Sequence, residues 1–218
     1  MPEKFNQYWT IRQGKFEEYS KFVTNRYIPG MNRLGIHIVA GWSVLVGTIA
    51  EIILEGVTND LESLEKALKS PEYQKLNDKL YNYVKDYKTK VLVPTGRKDS
   101  YSRDMKENTV KFNQAWDIRL EKKQEYEAFT SKVFYPGMEE LGITVAAEWE
   151  VFIGEGPRII CEGRTQNMEQ LIPNLQTKMF RDMRCELRDL IRNYESRLLA
   201  FHIQKIVGYK SASYELFC

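Results

Sequence analysis

The chain has 218 residues, 43% hydrophobic and 28% charged, proportions of a globular protein rather than a disordered one. Its 32 lysines and arginines against 30 aspartates and glutamates leave a net charge of +2, too little for the basic footprint of a nucleic-acid or anionic-membrane binder. No apolar run approaches the ~18 residues of a spanning helix, and the first residues lack a signal-peptide core. The expectation is a cytoplasmic protein without nucleic acid or membrane among its partners. Three cysteines, Cys161, Cys185 and Cys218, lack metal-ligand spacing and read as reduced thiols.

Residues 4–12, KFNQYWTIR, open the pattern. Phe5, Gln7, Trp9 and Ile11 alternate with Asn6, Tyr8, Thr10 and Arg12, which predicts a strand. Gly14 breaks it. Phe16, Tyr19, Phe22, Val23 and Tyr27 then fall at helical spacing. Pro29-Gly30 is expected to end or kink that helix, with Met31 and Leu34 adding a turn and Gly35 closing it. Residues 36–47 alternate again, with Ile36, Ile38, Ala40, Trp42, Val44 and Val46 on one face. Residues 49–56 form a third strand, and Gly47-Thr48 is short enough for a hairpin turn.

Thr58 or Asn59 is expected to cap the next helix, with Glu62 completing a capping box from Asn59. Leu61, Leu64 and Leu68 form its stripe. Ser70-Pro71 starts a second helical piece, predicted to run to Tyr87, and 91–93 is a short last strand. The order is β-α-β-β-α-β, that of a ferredoxin-like unit.

The whole unit then repeats. KFNQAWDIR at 111–119 restates 4–12 at an offset of 107 residues. The same offset carries Pro29-Gly30-Met31 onto Pro136-Gly137-Met138, Trp42 onto Trp149 and Tyr87 onto Tyr194. This is a tandem duplication of a unit of ~90 residues, the size of a small domain. The expected fold class is α+β, with units at 1–94 and 111–202, a linker at 95–110 and a tail at 203–218. Pro173 should interrupt or restart the second helix of copy two. Ile206, Val207, Tyr209, Tyr214 and Phe217 suggest that the tail packs on something. Cys161 stands where copy one has Leu54, so it reads as a small core residue.

The tandem pattern resembles the dimeric α+β barrel superfamily, which includes antibiotic-biosynthesis monooxygenases, NIPSNAP-type proteins and chlorite dismutases. The resemblance rests on the aromatic first strand before Gly14-Lys15, the Pro29-Gly30 and Leu34-Gly35 helix exit, Trp42 on the second strand, and Val91-Leu92-Val93-Pro94. It implies two sheets closing into an intrachain barrel, a small-molecule ligand, and room for a homo-oligomer. Among activities it implies a cofactor-independent monooxygenase acting on an aromatic or polyketide-like substrate. A non-catalytic assembly protein is the alternative. The chlorite-dismutase branch uses a helical histidine. The histidines here are His37 and His202, neither expected on a helix, so no haem is expected. An RNA-binding reading of the same order fails for want of an aromatic motif on the third strand.

Comparison of the copies locates the candidate site. The Phe5, Gln7, Trp9, Ile11 face is identical in copy two, and the Trp42 face is apolar in both. Both read as core, with all four tryptophans structural. The opposite face has diverged: Tyr8 becomes Ala115, Thr10 becomes Asp117, His37 becomes Thr144, Gly41 becomes Glu148, and Ser43 becomes Glu150. Asn6 and Arg12 persist as Asn113 and Arg119. An oxygenase site needs a base and donors for a developing oxyanion. The catalytic candidates are Asn113, Asp117 and Arg119. The ligand-binding candidates are Asn6, Tyr8, Arg12, His37, Ala115, Glu148 and Glu150. Asp117, Glu148 and Glu150 lack a neighbouring histidine, so no metal is expected. The competing reading has the asparagines satisfying backbone groups and the charges facing water.

Overall fold

The structure is a computed structural model and describes residues 2–47, 52–99, 106, 108–204 and 215–216. They fall into two compact units. The N-unit comprises 2–44, 52–92, 201–204 and 215–216; the C-unit comprises 45–47, 93–99, 106 and 108–200.

In the N-unit, β1 (Glu3–Ile11) is followed by α1 (Phe16–Phe22), a π turn (Val23–Tyr27) and α2 (Ile28–Arg33). Then come β2 (His37–Val46), β3 (Ile52–Thr58), α3 (Leu61–Lys69), α4 (Pro71–Leu80) and β4 (Val84–Asp99). The C-unit repeats this as β5 (Val110–Ile118), α5 (Lys123–Phe129), a π turn (Thr130–Phe134), α6 (Tyr135–Glu140), β6 (Thr144–Ile153), β7 (Ile159–Thr165), α7 (Met168–Leu175), α8 (Lys178–Leu190) and β8 (Ile191–Gln204). A short β9 (Glu215–Leu216) pairs with the end of β8. The strand orders β2-β3-β1-β4 and β6-β7-β5-β8 are those of two ferredoxin-like units.

Each copy lends the end of its last strand to the other unit. Residues 93–99 of β4 belong to the C-unit, where β4 pairs with β6; residues 201–204 of β8 belong to the N-unit, beside β2. The strand is therefore much longer than the expected 91–93, and 95–99, expected as linker, are strand. The helix predicted to reach Tyr87 ends at Leu80, and Tyr83 and Tyr87 stand outside it.

Pro29-Gly30 does not end the helix. The Ile28 N–H bonds back to the Val23 carbonyl, five residues earlier, and the Tyr135 N–H does the same to Thr130. This wider turn lets the helix pass a residue with no N–H to give. The glycine serves packing instead. A Cβ at Gly30 would lie 2.6 Å from Leu76 Cδ1, and one at Gly137 would press on Met183 Sδ, so glycine lets those two side chains lie against the helix without shifting.

The caps also differ from expectation. Asp60, not Thr58 or Asn59, caps α3, accepting from the Ser63 N–H at 2.6 Å. Ser70 caps α4 as expected, accepting from the Tyr73 N–H. In copy two Pro173 lies inside α7, and the break comes at Thr177, which caps α8. Thr177 is the counterpart of Ser70, so both copies break where a hydroxyl can cap the next helix. The five tail residues named above, and Thr48 of the expected turn, lie outside the described residues.

A β-bulge in each second strand repositions half its side chains. Ile38 pairs with Gly56 but Ala40 with Glu55, so Val39 is an extra residue. Ala146 is its counterpart, between Val145 and Ala147. An inserted residue reverses every later side chain. Ile36 and Ile38 therefore join the helix-side core with Phe5, Trp9 and Leu54, while Trp42 turns to the other face, donating from Nε1 to Glu55 at 2.9 Å. This corrects the expectation of one apolar face along the strand. The four tryptophans are all buried, at 0–1% exposure.

Candidate functional site

The bulge divides the diverged polar face. Asn6 and Tyr8 lie buried on the N-unit sheet opposite the helices, with Asn6 Nδ2 3.5 Å from the Tyr8 hydroxyl. Their counterparts Asn113 and Ala115 take the same face of β5, opposite Glu162 and Ile160. The Asn6 and Asn113 Oδ1 atoms are buried without a hydrogen-bond partner. Asp117 and Arg119 are held elsewhere. Asp117 accepts from the Arg158 backbone N–H at 2.8 Å and from Asn193 at 2.7 Å, and Arg119 Nε donates to the Ile191 carbonyl at 3.2 Å. Arg12 repeats this, 3.4 Å from the Tyr81 carbonyl. His37 is exposed at the start of β2. Glu150 is half-buried, 3.6 Å from Arg158.

Glu148 is carried by the bulge to the helix side, and a polar centre forms around it. Its carboxylate is completely buried. Oε2 accepts from the Tyr126 hydroxyl at 2.5 Å and from the Tyr135 hydroxyl at 2.8 Å. Oε1 accepts from Arg97 Nε at 2.5 Å and is also paired with Arg97 Nη2. All four lone-pair positions are used, the condition under which a buried carboxylate is tolerable. Trp116 Nε1 donates to the Tyr126 hydroxyl at 3.0 Å. Arg97 is 21% exposed, and its Nη1 lies 3.7 Å from Glu127. It is thus the member of the centre open to solvent, with a second carboxylate in reach.

Burial first, and the Glu148 charge second, push the Tyr126 and Tyr135 hydroxyls well above the ordinary tyrosine range. Both stay protonated donors. The Cys161 thiol, cross-strand neighbour of Glu148, is raised for the same two reasons, with Glu162 adding to them. Burial opposes the charge on Arg97, but Glu148 together with Tyr126 and Tyr135 more than offsets it and the net shift is upward.

The N-unit lacks this centre. At the 107-residue offset Glu148 is Gly41, Tyr135 is Ile28 and Cys161 is Leu54, while Tyr126 persists as Tyr19, accepting from Trp9 at 3.0 Å. The counterpart of Thr95 is His202, buried, with Nδ1 3.0 Å from Ser43 Oγ. A second buried feature is common to both copies: Lys4 pairs with Glu55 and Lys111 with Glu162, all four almost inaccessible. Among the described residues no cluster of three or more histidines, cysteines and acids could hold a metal.

The sequence groups Glu148 with Ala115 and Asn113 on one sheet face; the structure places it on the other, with Arg97, Tyr126 and Tyr135, which the sequence does not single out. Arg97 lay in the presumed linker. The change from Ile28 to Tyr135 beside the unchanged Tyr19 and Tyr126 was a signal available from the repeat. So was the identity of Lys4 and Glu55 with Lys111 and Glu162 on strands expected to be half-buried.

No protein-family model matches the chain, and no curated protein matches it in sequence. Solved structures do. A proposed monooxygenase from Fusobacterium nucleatum superposes with a TM-score of 0.62 at 12% identity, over 100% of this chain and 99% of that one. An anthrone oxidase-like protein gives 0.60 at 12% identity, over 97% and 95%. A haem-binding protein from Thermus thermophilus gives 0.54 at 12% identity, over 92% and 91%. At such identities the likeness defines the fold, an α+β fold of the dimeric α+β barrel type, and fold alone does not fix function.

Proposed function

We propose that the chain binds a small organic molecule beneath the helices of the C-unit and removes a proton from it with Glu148, as a cofactor-independent oxygenase would. The observation that carries this reading is the Glu148 centre: one buried carboxylate, two phenolic donors and a partly exposed arginine, in one copy only. A packing role alone asks for no ion there, because the N-unit fills the position with Gly41 and Ile28. The resemblance to an anthrone oxidase-like structure agrees with a substrate whose carbon acid yields a stabilised enolate.

Each residue has a role in this scheme. Swinging Arg97 towards Glu127 uncovers Glu148 Oε1. Glu148 takes the proton from the substrate C–H. The Tyr126 and Tyr135 hydroxyls, released as the carboxylate becomes neutral, donate to the enolate oxygen. The enolate gives its electrons to dioxygen, forming a C–O bond and a hydroperoxide. Loss of water leaves the carbonyl, so a CH2 group and O2 become C=O and H2O. Asn113 and Ala115, on the opposite face, take no part.

The test is oxygen uptake with anthrone in chelator-treated protein. Wild type should consume oxygen above the buffer rate, and Glu148→Gln should lose about a hundredfold or more of the excess, the usual worth of a general base. Uptake unaffected by Glu148→Gln would remove the assignment.

A further inference from the structure

The helical faces of the two copies carry opposite charge. In the C-unit a groove of about 430 Å³ lies between α6 and α8, with Val133, Met179 and Met183 in its lining. Glu140, Asp182 and Glu186 line it too, against a single base, Lys132. At the 107-residue offset all three acids become bases: Glu140 is Arg33, Asp182 is Lys75 and Glu186 is Lys79. Arg26 stands at the place of Val133, and the one acid at the matching positions is Glu72, where copy two has Met179. Both members of each inverted pair are exposed. Beneath the charges the copies are built alike, with Gly30 of α2 against Leu76 of α4 and Gly137 of α6 against Met183 of α8. Exposed charges add little to the stability of the fold that carries them, so packing does not require the inversion.

We infer that the acidic groove of the C-unit binds the basic helical face of the N-unit of a second copy of the chain. That occupant fits in two respects. Its arginines and lysines oppose the groove in sign, which steers the encounter and fixes its orientation. Their aliphatic stems can lie on an apolar floor while the charged heads stay at the rim, and Val133, Met179 and Met183 supply such a floor. Two internal pairs touch these faces, Arg33 with Glu72 at 2.8 Å and Lys178 with Asp182 at 2.6 Å. Both are solvent-exposed pairs of the kind worth little, so neither closes its face to a partner.

The contact is heterologous, because each molecule gives one face and receives on the other. A face of each sign stays open on every dimer, so copies add until a ring closes or a chain grows. The chain's net charge of +2 conceals this segregation, which only the comparison of the two copies brings out. The inference is independent of the Glu148 reading.

Sedimentation velocity of the purified full chain tests it. At about 0.01 M salt, where charges act over about 30 Å, the weight-average mass should rise with concentration above the 25.7 kDa of one chain. At about 0.15 M salt that length falls to about 8 Å, and the association constant should drop about tenfold or more. One variant reverses the basic face with Arg33→Glu, Lys75→Glu and Lys79→Glu together; another reverses the acidic face with Glu140→Lys, Asp182→Lys and Glu186→Lys together. Each alone should lose the salt-sensitive association. Mixing them should restore it, because one then carries two acidic faces and the other two basic ones, and the recovery shows that both are folded. Lys75→Glu and Asp182→Lys, each a change of one exposed side chain, should weaken association in the same direction. A wild type without salt-sensitive association, association that survives the reversals, or reversed proteins that stay apart when mixed would overturn the inference.

Discussion

The Tyr126 hydroxyl donates to Glu148 at 2.5 Å while accepting from Trp116 Nε1 at 3.0 Å. The matching tyrosine of the N-unit, Tyr19, accepts from Trp9 in the same way but faces Gly41 in place of the acid. The tryptophan–tyrosine pair is thus common to both copies, and the carboxylate is present in copy two alone.

Removing the charge of Glu148 should destabilise the C-unit. Glu148→Gln leaves Arg97 without its buried counter-ion, and breaking such a pair from one side costs about 3–5 kcal/mol. Because Arg97 is 21% exposed and has Glu127 nearby, the loss should fall at or below the lower end, about 2–3 kcal/mol. Denaturant unfolding measures it. Adding Arg97→Met should recover part of the loss.

Alkaline pH should unfold the protein through its buried tyrosines. Tyr126 and Tyr135 have folded pKa values raised above the unfolded one, and Tyr194 is pushed up, chiefly by burial, to about 12. The unfolded chain then loses protons that the folded chain keeps. These groups add no penalty below about pH 10, the unfolded tyrosine value, and stability falls as pH rises above it. Denaturation midpoints from pH 8 to 12, on the order of one unit apart, should be level and then decline steeply. A level profile throughout would contradict the burial of these hydroxyls.

Cap substitutions distinguish the observed helix start from the one expected. Asp60→Ala should lower the denaturation midpoint, and Asn59→Ala should be close to neutral. The Asp60 carboxyl is held below the usual range, first by the Ser63 backbone N–H, so the difference should shrink in acid.

Trp9→Ala should cost about 3–5 kcal/mol, the usual figure for a large aromatic core residue. Trp9 is fully buried, stacked on Tyr87 with centroids 6.1 Å apart, and bonded to Tyr19. Thermal and chemical unfolding both report it.

Much of the fold was legible because duplication repeats its own signals. Strand, helix and hairpin periods recur at one offset, and two independent occurrences of a pattern outweigh local ambiguity. The misreadings share a cause. A single inserted residue at Val39 and at Ala146 leaves no mark on the hydrophobic alternation, yet it moves Trp42 away from the helices and Glu148 beneath them. Tyr83 and Tyr87 continue a helical stripe by spacing, but the backbone turns after Leu80, and Asp86 takes a left-handed conformation with φ of 56°. Asn193 repeats it at 52°, where β8 carries an extra residue opposite Trp116. Arg97 stands in a stretch whose polar, charged composition has the character of a linker, so composition alone does not place it in a site. Pro29-Gly30 was read as punctuation because a π turn has no sequence signature of its own.

The most direct test of Glu148 as a base separates proton removal from oxygen chemistry. Anthrone is incubated with the protein in deuterated buffer under argon, and hydrogen–deuterium exchange at its CH2 carbon is followed by NMR. Wild type should exchange faster than buffer alone, and Glu148→Gln should lose about a hundredfold or more of that excess, while Asp117→Asn exchanges as wild type does. Exchange equal in wild type and Glu148→Gln, or oxygen uptake that proceeds without any catalysed exchange, would contradict the account.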